Sequence, residues 1–309
     1  MSLFKSVFPF MVASEIPENI KACLADYAFK NLSGTLHESK GFDYLTPGNQ
    51  FIVADNRWLF KYIENKRTAN RHAVNMIFQE WLQKATEDGR EPDKESQDAY
   101  REQATREVLK TAPISETVVF ILFDANVGRA WCAGSTVSKC QAALRCLRRA
   151  IGSLKTTPLT YDFAGRLLSR QLCKGMQQAE GFPDNLFIYP NGKLVAASED
   201  QKVTFDGVDL RDEGVGEVLS GMEVRALEIA LVKPETKGDH EVVATCVLHV
   251  PQTGPVHIKA FDYNGAAAGA EGDEAHHYAT EMLIVSGLAW EIFDTLRAWF
   301  HGANGATQG

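Results

Sequence analysis

The sequence TVVFILFDANVGRAWCAGSTVSKCQAALRCLRRAIG, residues 117–152, contains the clearest structural pattern in the chain. Residues 117–123 are β-branched and aromatic and therefore predict a strand. Residues 125–128 predict a turn, after which residues 129–133 return as a second strand. The pattern predicts two neighbouring strands joined by a short turn.

A helix is predicted over about 137–151, directly after these strands. Ser135 or Thr136 is its expected N-cap, and Gly152 is expected to end it. The apolar residues of this segment fall at alternating spacings of three and four: Val137, Cys140, Leu144, Leu147 and Ile151. This stripe must face the core, so the arginines that lie off it face solvent.

Upstream, strands are predicted at residues 3–12, 50–54 and 57–63, and Ser14 is expected to cap a helix. A polar helical pair is predicted between Ala69 and Leu109. Downstream, Pro190–Asn191–Gly192 predicts a hairpin between strands at 187–189 and 193–197. Further predicted elements are a meander of strands at 223–232, 242–250 and 255–263, and a segment at 281–300 that ends as a helix.

Together these elements predict an α+β fold with antiparallel sheets, packed helices and a projecting helical insertion. Residues 1–68 and 117–180 are expected to form a central α+β unit. Residues 69–116 form the helical insertion, or tip. Residues 181–309 form a second α+β unit with an antiparallel meander and a C-terminal helix.

The composition is typical of a cytoplasmic globular protein, with 45% hydrophobic residues and a net charge of −8. The six cysteines show no C-x-x-C spacing and are read as small buried hydrophobes in a reducing compartment. We expect no signal peptide and no membrane span, because no apolar run is long enough.

Positive charge is concentrated in one part of this acidic chain. Between Ala125 and Ala179 there are nine lysines and arginines and one acidic residue, Asp162, whereas Glu180–Glu241 has fourteen acids and six bases. Clustered cations are what phosphate binding needs. The predicted phosphate contacts are Lys139, Arg145, Arg148, Arg149, Lys155, Arg166, Arg170 and Lys174, with Lys61, Lys66, Arg67 and Arg71 as a secondary set.

Charge alone leaves a second interpretation open, namely a solvated basic face balanced by acidic residues elsewhere in the fold. The sequence contains no helix-turn-helix or zinc finger, so any DNA binding is expected to contact the backbone with little sequence preference.

Candidates for chemistry are weaker. Cys246 and His249, near His257, would point to opposite faces of one strand, and His276–His277 are adjacent and diverge, so no metal site is expected. Asp184, Asp200 and Lys202 imitate the spacing of a Mg²⁺-dependent nuclease. No nucleotide-binding loop or G-x-S-x-G motif is present, no cofactor is indicated, and we expect a binding protein rather than an enzyme.

Several segments resemble the RdgC family of recombination-associated bacterial proteins. The most specific is Leu147–Leu154, followed by Pro158–Leu159. Others are Leu3–Lys5, Arg106–Leu109, Val224–Leu231, Val256–Asp262 and Glu281–Phe300. The resemblance implies a ring-shaped homodimer with a hole sized for duplex DNA, DNA binding without sequence preference, and restraint of RecA-promoted recombination.

Two segments depart from the family pattern. Where relatives carry a longer stretch with an aromatic tip that helps close the ring, this chain has Lys110–Ser115. Pro113 and Ile114 are the candidates for that dimer contact. The segment Phe205–Asp209 is acidic where relatives can be lysine-rich, so no DNA contact is expected from it.

The leading hypothesis is a nucleoid-associated homodimer that binds double-stranded DNA. Single-stranded DNA is a further candidate ligand, and RecA is expected to be affected indirectly. The first alternative is a protein-interaction module that acts on the recombinase without DNA. The second is a Mg²⁺-dependent nuclease that uses Asp184, Asp200 and Lys202. No membrane partner is expected.

Overall fold

A computed structural model describes residues 3–33, 36–173, 182–234, 240–263 and 273–305. Within these ranges the chain forms thirteen strands and seven helices, and the strands are antiparallel throughout. The predicted α+β class with antiparallel sheets is confirmed.

The first half of the chain contributes seven strands, and the pair predicted from 117–133 lies near their centre. They are β1 (Ser6–Val12), β2 (Glu38–Asp43), β3 (Phe51–Ala54), β4 (Arg57–Arg67), β5 (Ile114–Asp124), β6 (Arg129–Ala133) and β7 (Thr156–Pro158). Their order is β1-β6-β5-β4-β2, with β3 also pairing β4 and β7 also pairing β1.

The second half contributes six strands around a long central strand. They are β8 (Leu186–Ile188), β9 (Leu194–Ala197), β10 (Lys202–Phe205), β11 (Glu223–Pro234), β12 (His240–His249) and β13 (His257–Tyr263). Their order is β10-β9-β11-β12-β13, and β8 also pairs β11. The last three strands confirm the predicted meander.

Strand β1 belongs to both groups of strands. Its first residues, Ser6 and Val7, pair with Lys259 and Ile258 of β13. Its remaining residues pair with β6 on one side and with β7 on the other. The two halves are therefore joined through one continuous hydrogen-bonded ladder.

Seven helices pack on this sheet or project from it. They are α1 (Ile20–Ala25), α2 (Arg71–Glu87), α3 (Lys94–Thr111), α4 (Val137–Ile151), α5 (Ala164–Cys173), α6 (Glu213–Leu219) and α7 (Glu274–Gly305). Helices α1 and α4 pack against each other, and their apolar residues share a core with Phe8, Phe10 and Phe123. Helices α5, α6 and α7 share the other core, which includes Val7 and Leu122.

Helix α7 is the largest element of the second core and touches both halves of the sheet. Trp131 of β6 stacks on Phe293, and the Tyr263 hydroxyl of β13 donates to the Glu281 carboxylate at 2.7 Å. Near the end of the helix, the Phe300 ring is fully buried beside Tyr161. The helix thus holds the two halves together from the face opposite α4.

Helices α2 and α3 form the predicted helical insertion. They pack on each other through a small core that includes Val74, Phe78 and Ala104. At its base, the Arg67 guanidinium donates to the Lys110 carbonyl oxygen at 3.1 Å, which satisfies an acceptor at the end of α3. Strand β1 and helix α7 each contact both the predicted central unit and the predicted second unit. The division of the chain into a central unit, an insertion and a second unit therefore stays a prediction.

Two local predictions are wrong. Asn19, rather than Ser14, precedes the first helix, and the Ser14 hydroxyl oxygen instead accepts from the Lys155 backbone N–H. The strands on either side of Pro190–Asn191–Gly192 do not pair with each other. Both strands pair with β11, one after the other along the same edge. The long edge of β11 offers more hydrogen-bonding positions than these two short strands could offer each other.

An aromatic stack lies at the point where β1 meets β13. The His257 ring stacks on Phe8 with centroids 4.5 Å apart, and His249 stacks on the other side of His257 at 4.9 Å. Burial, together with smaller effects of the neighbouring His257 and Lys259, lowers the pKa of His249 to about 4. Burial also lowers the pKa of His257. Both rings are therefore neutral at pH 7.

The Phe300→Ala substitution should destabilise the protein by about 3–5 kcal/mol, because it leaves a cavity in a fully buried core. Leu283→Ala on the same helix should cost about 0.5 kcal/mol or less, since this side chain is 38% exposed. Urea unfolding of both variants measures the difference. Equal losses would contradict the packing described for α7.

The stack predicts that stability falls as the pH drops from about 6.5, the ordinary pKa of histidine, towards 4. In this pH range His249 binds a proton in the unfolded chain but stays neutral in the folded protein. His249→Phe keeps an aromatic ring and should reduce this loss in urea unfolding curves measured between pH 7 and pH 5. His72→Phe on the surface of α2 is the control and should not change it. An unchanged pH dependence in His249→Phe would contradict the assignment.

Candidate nucleic-acid interface

Helix α4 begins and ends at residues that suit those positions. The Thr136 side chain accepts a hydrogen bond from the Lys139 backbone N–H, which confirms Thr136 as the N-cap. Gly152 ends the helix at a φ of 81°, a conformation that glycine adopts without strain. Between these two ends, the apolar stripe of α4 packs against β5 in the core that α4 shares with α1.

The opposite side of α4 is a basic surface. Arg145, Arg148 and Arg149 are all exposed, and Lys139 is half-buried at the start of the helix. Cations in the last turn are also favourable next to the partial negative charge of the helix C-terminus. We call the three arginines with Lys155 the α4 basic face.

Lys155 reaches this surface because the chain turns back beside the helix after Gly152. Its backbone N–H donates to the Ser14 hydroxyl at 3.0 Å, and its carbonyl oxygen accepts from the Ala13 N–H at 3.0 Å. The preceding Leu154 is buried in the core. Backbone bonds and one buried side chain therefore fix the position of Lys155.

A groove of about 370 Å³ lies between α4 and β7. Its walls carry Arg145, Arg148 and Lys155, and its floor carries Leu144 and Leu154. A second recess, which shares Arg145 and Arg148, continues past it towards the end of the helix. The remaining lining residues of the groove are Gln141, Thr156 and Thr157.

No ion pair forms on the α4 basic face within the described parts of the chain, since no carboxylate there lies within 4.0 Å of its four cations. Lys40 of β2 is electrostatically coupled to Arg149, which opposes its protonation. The hydrogen bond from Lys40 to Glu38 is the larger influence and raises the pKa of Lys40. Lys40 thus lies near Arg149, but its charge is paired with the Glu38 carboxylate.

The Glu38 carboxylate links this surface to one residue of the secondary set. Its pKa is lowered first by the hydrogen bond from Lys40 and also by the charge of Lys66. Lys66 is exposed near the end of β4. Lys40 and Lys66 therefore lie on either side of one acidic residue at the margin of the basic surface.

The other residues of the secondary set have partners or lie elsewhere. The Lys61 ammonium pairs with Asp43 at 2.7 Å, and Arg67 is bonded to the end of α3. Arg71 is exposed at the first turn of α2, in the helical insertion. Two of the four residues of the secondary set, Lys61 and Arg67, therefore make contacts that stabilise the fold.

The predicted contacts after Lys155 belong to a different helix. Arg166 and Arg170 are exposed on α5, which packs on β11 and α6. The Arg166 guanidinium lies 3.3 Å from the Glu223 carboxylate, which partly neutralises it. Lys174 lies outside the described residues.

Arg129 counts towards the positive block in the sequence but is buried. Its guanidinium pairs with Asp294 at 2.9 Å and lies over the Trp290 ring. Burial lowers its pKa, and the bond to Asp294 opposes this. Arg129 therefore holds β6 to α7 and does not face solvent.

Pro113 and Ile114 lie where α3 passes into β5. Both are exposed, and Ile114 opposes Arg67 in the β4–β5 ladder. They are thus at the base of the helical pair, whereas the far end of this pair lies at the α2–α3 connection around residues 88–93. Their proposed role in dimer contact remains a prediction.

The residues of the nuclease alternative do not converge. Asp184 lies just before β8, which pairs with β11 at Leu231. Asp200 lies just after β9, which pairs with the other end of β11, at Glu223. At about 3.3 Å per residue these two pairing positions are roughly 26 Å apart. One Mg²⁺ ion cannot bind both carboxylates, so this particular site is wrong. Among the described residues, no group of three His, Cys, Asp or Glu side chains could hold a metal ion.

Sequence reasoning missed Lys40, Gln141, Thr156 and Thr157. Gln141 lies on α4 one turn before Arg145, so helical spacing could have indicated it. Lys40, Thr156 and Thr157 reach the basic surface only because β2 pairs with β4 and because the chain returns beside α4. No local pattern indicates the proximity of Lys40, Thr156 and Thr157 to the arginines of α4.

The fold and this surface define an α+β protein with an exposed basic helix on one sheet face. The chain matches the family model described as "RdgC: Putative exonuclease, RdgC" over residues 2–233 of 309. It therefore belongs to the RdgC family, and this membership supports a recombination-related function. No curated protein sequence matches the chain. Across the described ranges, no helix combines the length and apolar character needed to cross a membrane.

Proposed function

We propose that the protein binds DNA through the sugar-phosphate backbone, using the α4 basic face. The observation that carries this proposal is a set of four cations, Arg145, Arg148, Arg149 and Lys155, that share one surface without acidic partners among the described residues. Elsewhere, Arg57, Lys61 and Arg129 pair with carboxylates. Unpaired cations on one face are costly to keep together unless an anion neutralises them.

Binding of this kind is driven by release of counterions from DNA. Each phosphate that a protein cation neutralises frees condensed ions, so affinity falls as salt rises and depends little on base sequence. Lysine and arginine side chains on the outside of a helix can follow a line of phosphates without entering a groove. The proposal therefore predicts weak sequence preference.

The charge of the remaining surface favours DNA binding at the α4 basic face. The chain carries a net charge of −8, so the surface outside the basic region repels phosphates. Repulsion from most directions and attraction at α4 would steer the duplex to this face. Lys66 extends the contact, whereas Arg166 and Arg170 would meet DNA only if it reaches α5.

The finer parts of the proposal come from the family. We infer a nucleoid-associated homodimer that modulates RecA-dependent recombination through its occupancy of DNA, with RecA affected indirectly. Exposed Pro113 and Ile114 are the proposed second contact between subunits. Membership of the RdgC family supports these inferences through the resemblance described above.

We propose that the protein acts by binding rather than by catalysis, although the family model's description mentions an exonuclease. The separation of Asp184 from Asp200 along β11 supports this for the one candidate site that the sequence offered. A protein-interaction module is the alternative. In that case the purified protein would capture the recombinase from nuclease-treated extract and would not shift duplex DNA.

Reversing Arg145, Arg148 and Arg149 to Glu should weaken duplex binding strongly. Loss of three phosphate contacts should reduce the slope of log affinity against log salt by about 3, because each contact contributes roughly 0.9. Fluorescence anisotropy with a labelled duplex at several salt concentrations measures both quantities.

The control variant changes total charge by the same amount on other surfaces. It reverses Arg90, Arg106 and Arg211 to Glu, three exposed arginines of α2–α3 and the loop before α6. This variant should keep most of the affinity and the slope. Equal losses in both variants, or no duplex binding by the unmodified protein at low salt, would refute the proposed function.

A further inference from the structure

The groove between α4 and β7 has a shape that duplex binding does not explain. It is a recess of about 370 Å³ with cationic walls and an apolar floor, whereas a duplex backbone would meet the outward side of the helix. Volumes of roughly 300–1,000 Å³ are typical of sites for small molecules. The recess therefore matches a ligand much smaller than a duplex.

The floor of the groove belongs to the packed core. Leu144 and Leu154 are each 3% exposed, so their positions are set by packing with α1, β1 and β5. The Lys155 backbone is held at both its N–H and its carbonyl by residues 13–14. The floor and the backbone of the recess are thus preformed, which lowers the ordering cost of binding.

The polar groups around this floor suit a phosphate group. Three cations, Arg145, Arg148 and Lys155, line the groove, and an arginine offers its donors in the planar geometry that a phosphate accepts. Gln141 and Thr156 add an amide and a hydroxyl at the edge. Leu144 and Leu154 close the floor of the groove and, being almost fully buried, add only a small apolar contact for a sugar or a base edge.

We propose that this groove binds a free phosphorylated small molecule of nucleotide size. A phosphate monoester carries a charge of about −1.5 to −2 at pH 7, which the three cations neutralise. The phosphate lies among the cations, and the rest of the ligand lies over Leu144 and Leu154.

Occupancy of the groove has a consequence that rests on the proposed function. Arg145 and Arg148 belong both to the groove and to the surface that meets DNA, so ligand and duplex compete for them. By linkage, each lowers the affinity for the other by the same factor. The phosphorylated ligand is then a regulator of DNA binding.

The test uses adenosine 5′-monophosphate as the probe, with adenosine and inorganic phosphate as comparisons, in calorimetric titrations of the full chain. Adenosine 5′-monophosphate should bind more tightly than either comparison. Lys155→Gln should weaken its binding about tenfold, the factor that corresponds to the loss of one charge-assisted hydrogen bond. Thr156→Val should weaken it less, and Arg106→Gln, on α3 and away from the groove, should change it by less than about twofold.

Anisotropy with labelled duplex provides the second readout. Adenosine 5′-monophosphate should displace duplex from the unmodified protein and do so less well from Lys155→Gln. Equal binding of adenosine or of inorganic phosphate, or unchanged binding in Lys155→Gln, would overturn the inference. If duplex binds but the nucleotide does not, only this inference fails. If the nucleotide binds but duplex does not, only the proposed function fails.

Discussion

The backbone pairing of β1 holds the molecule together. Within seven residues this strand exchanges hydrogen bonds with β13, β6 and β7, and its side chains enter both cores, Val7 on one face and Phe8 and Phe10 on the other. The position of β7, and through it of Lys155, follows from this pairing. Strands β12 and β13 and helix α7 complete the same arrangement although they lie beyond the residues that match the family.

The basic surface arises from how the fold distributes charge. Acidic residues accompany several cations elsewhere: Asp124 accepts from Arg57, Asp43 pairs with Lys61, and Asp294 pairs with buried Arg129. Helix α4 presents its arginines away from these partners because its apolar stripe faces β5. The result is a small positive area on an acidic protein, which is sufficient for binding because local rather than net charge decides phosphate affinity.

Much of this arrangement follows from local sequence patterns. The stripe of α4, the Thr136 N-cap, the Gly152 terminus, the strands around 117–133 and the meander all depend on short-range spacing and were predictable. The hairpin at Pro190–Asn191–Gly192 was not, because a distant strand, β11, competes for the same hydrogen bonds. Arg129 belongs to the positive block in the sequence, and no local pattern shows that the packing of α7 buries it. The groove depends on long-range pairing of β7 with β1.

The most direct test of the central claim is protection of arginines from a dicarbonyl reagent such as phenylglyoxal, mapped by mass spectrometry with and without saturating duplex DNA. The account predicts that DNA slows the modification of Arg145, Arg148 and Arg149 and leaves Arg90, Arg106 and Arg211 as reactive as before. All six side chains are exposed in the free protein. Equal protection of both sets, or protection of the second set alone, would contradict DNA binding through the α4 basic face.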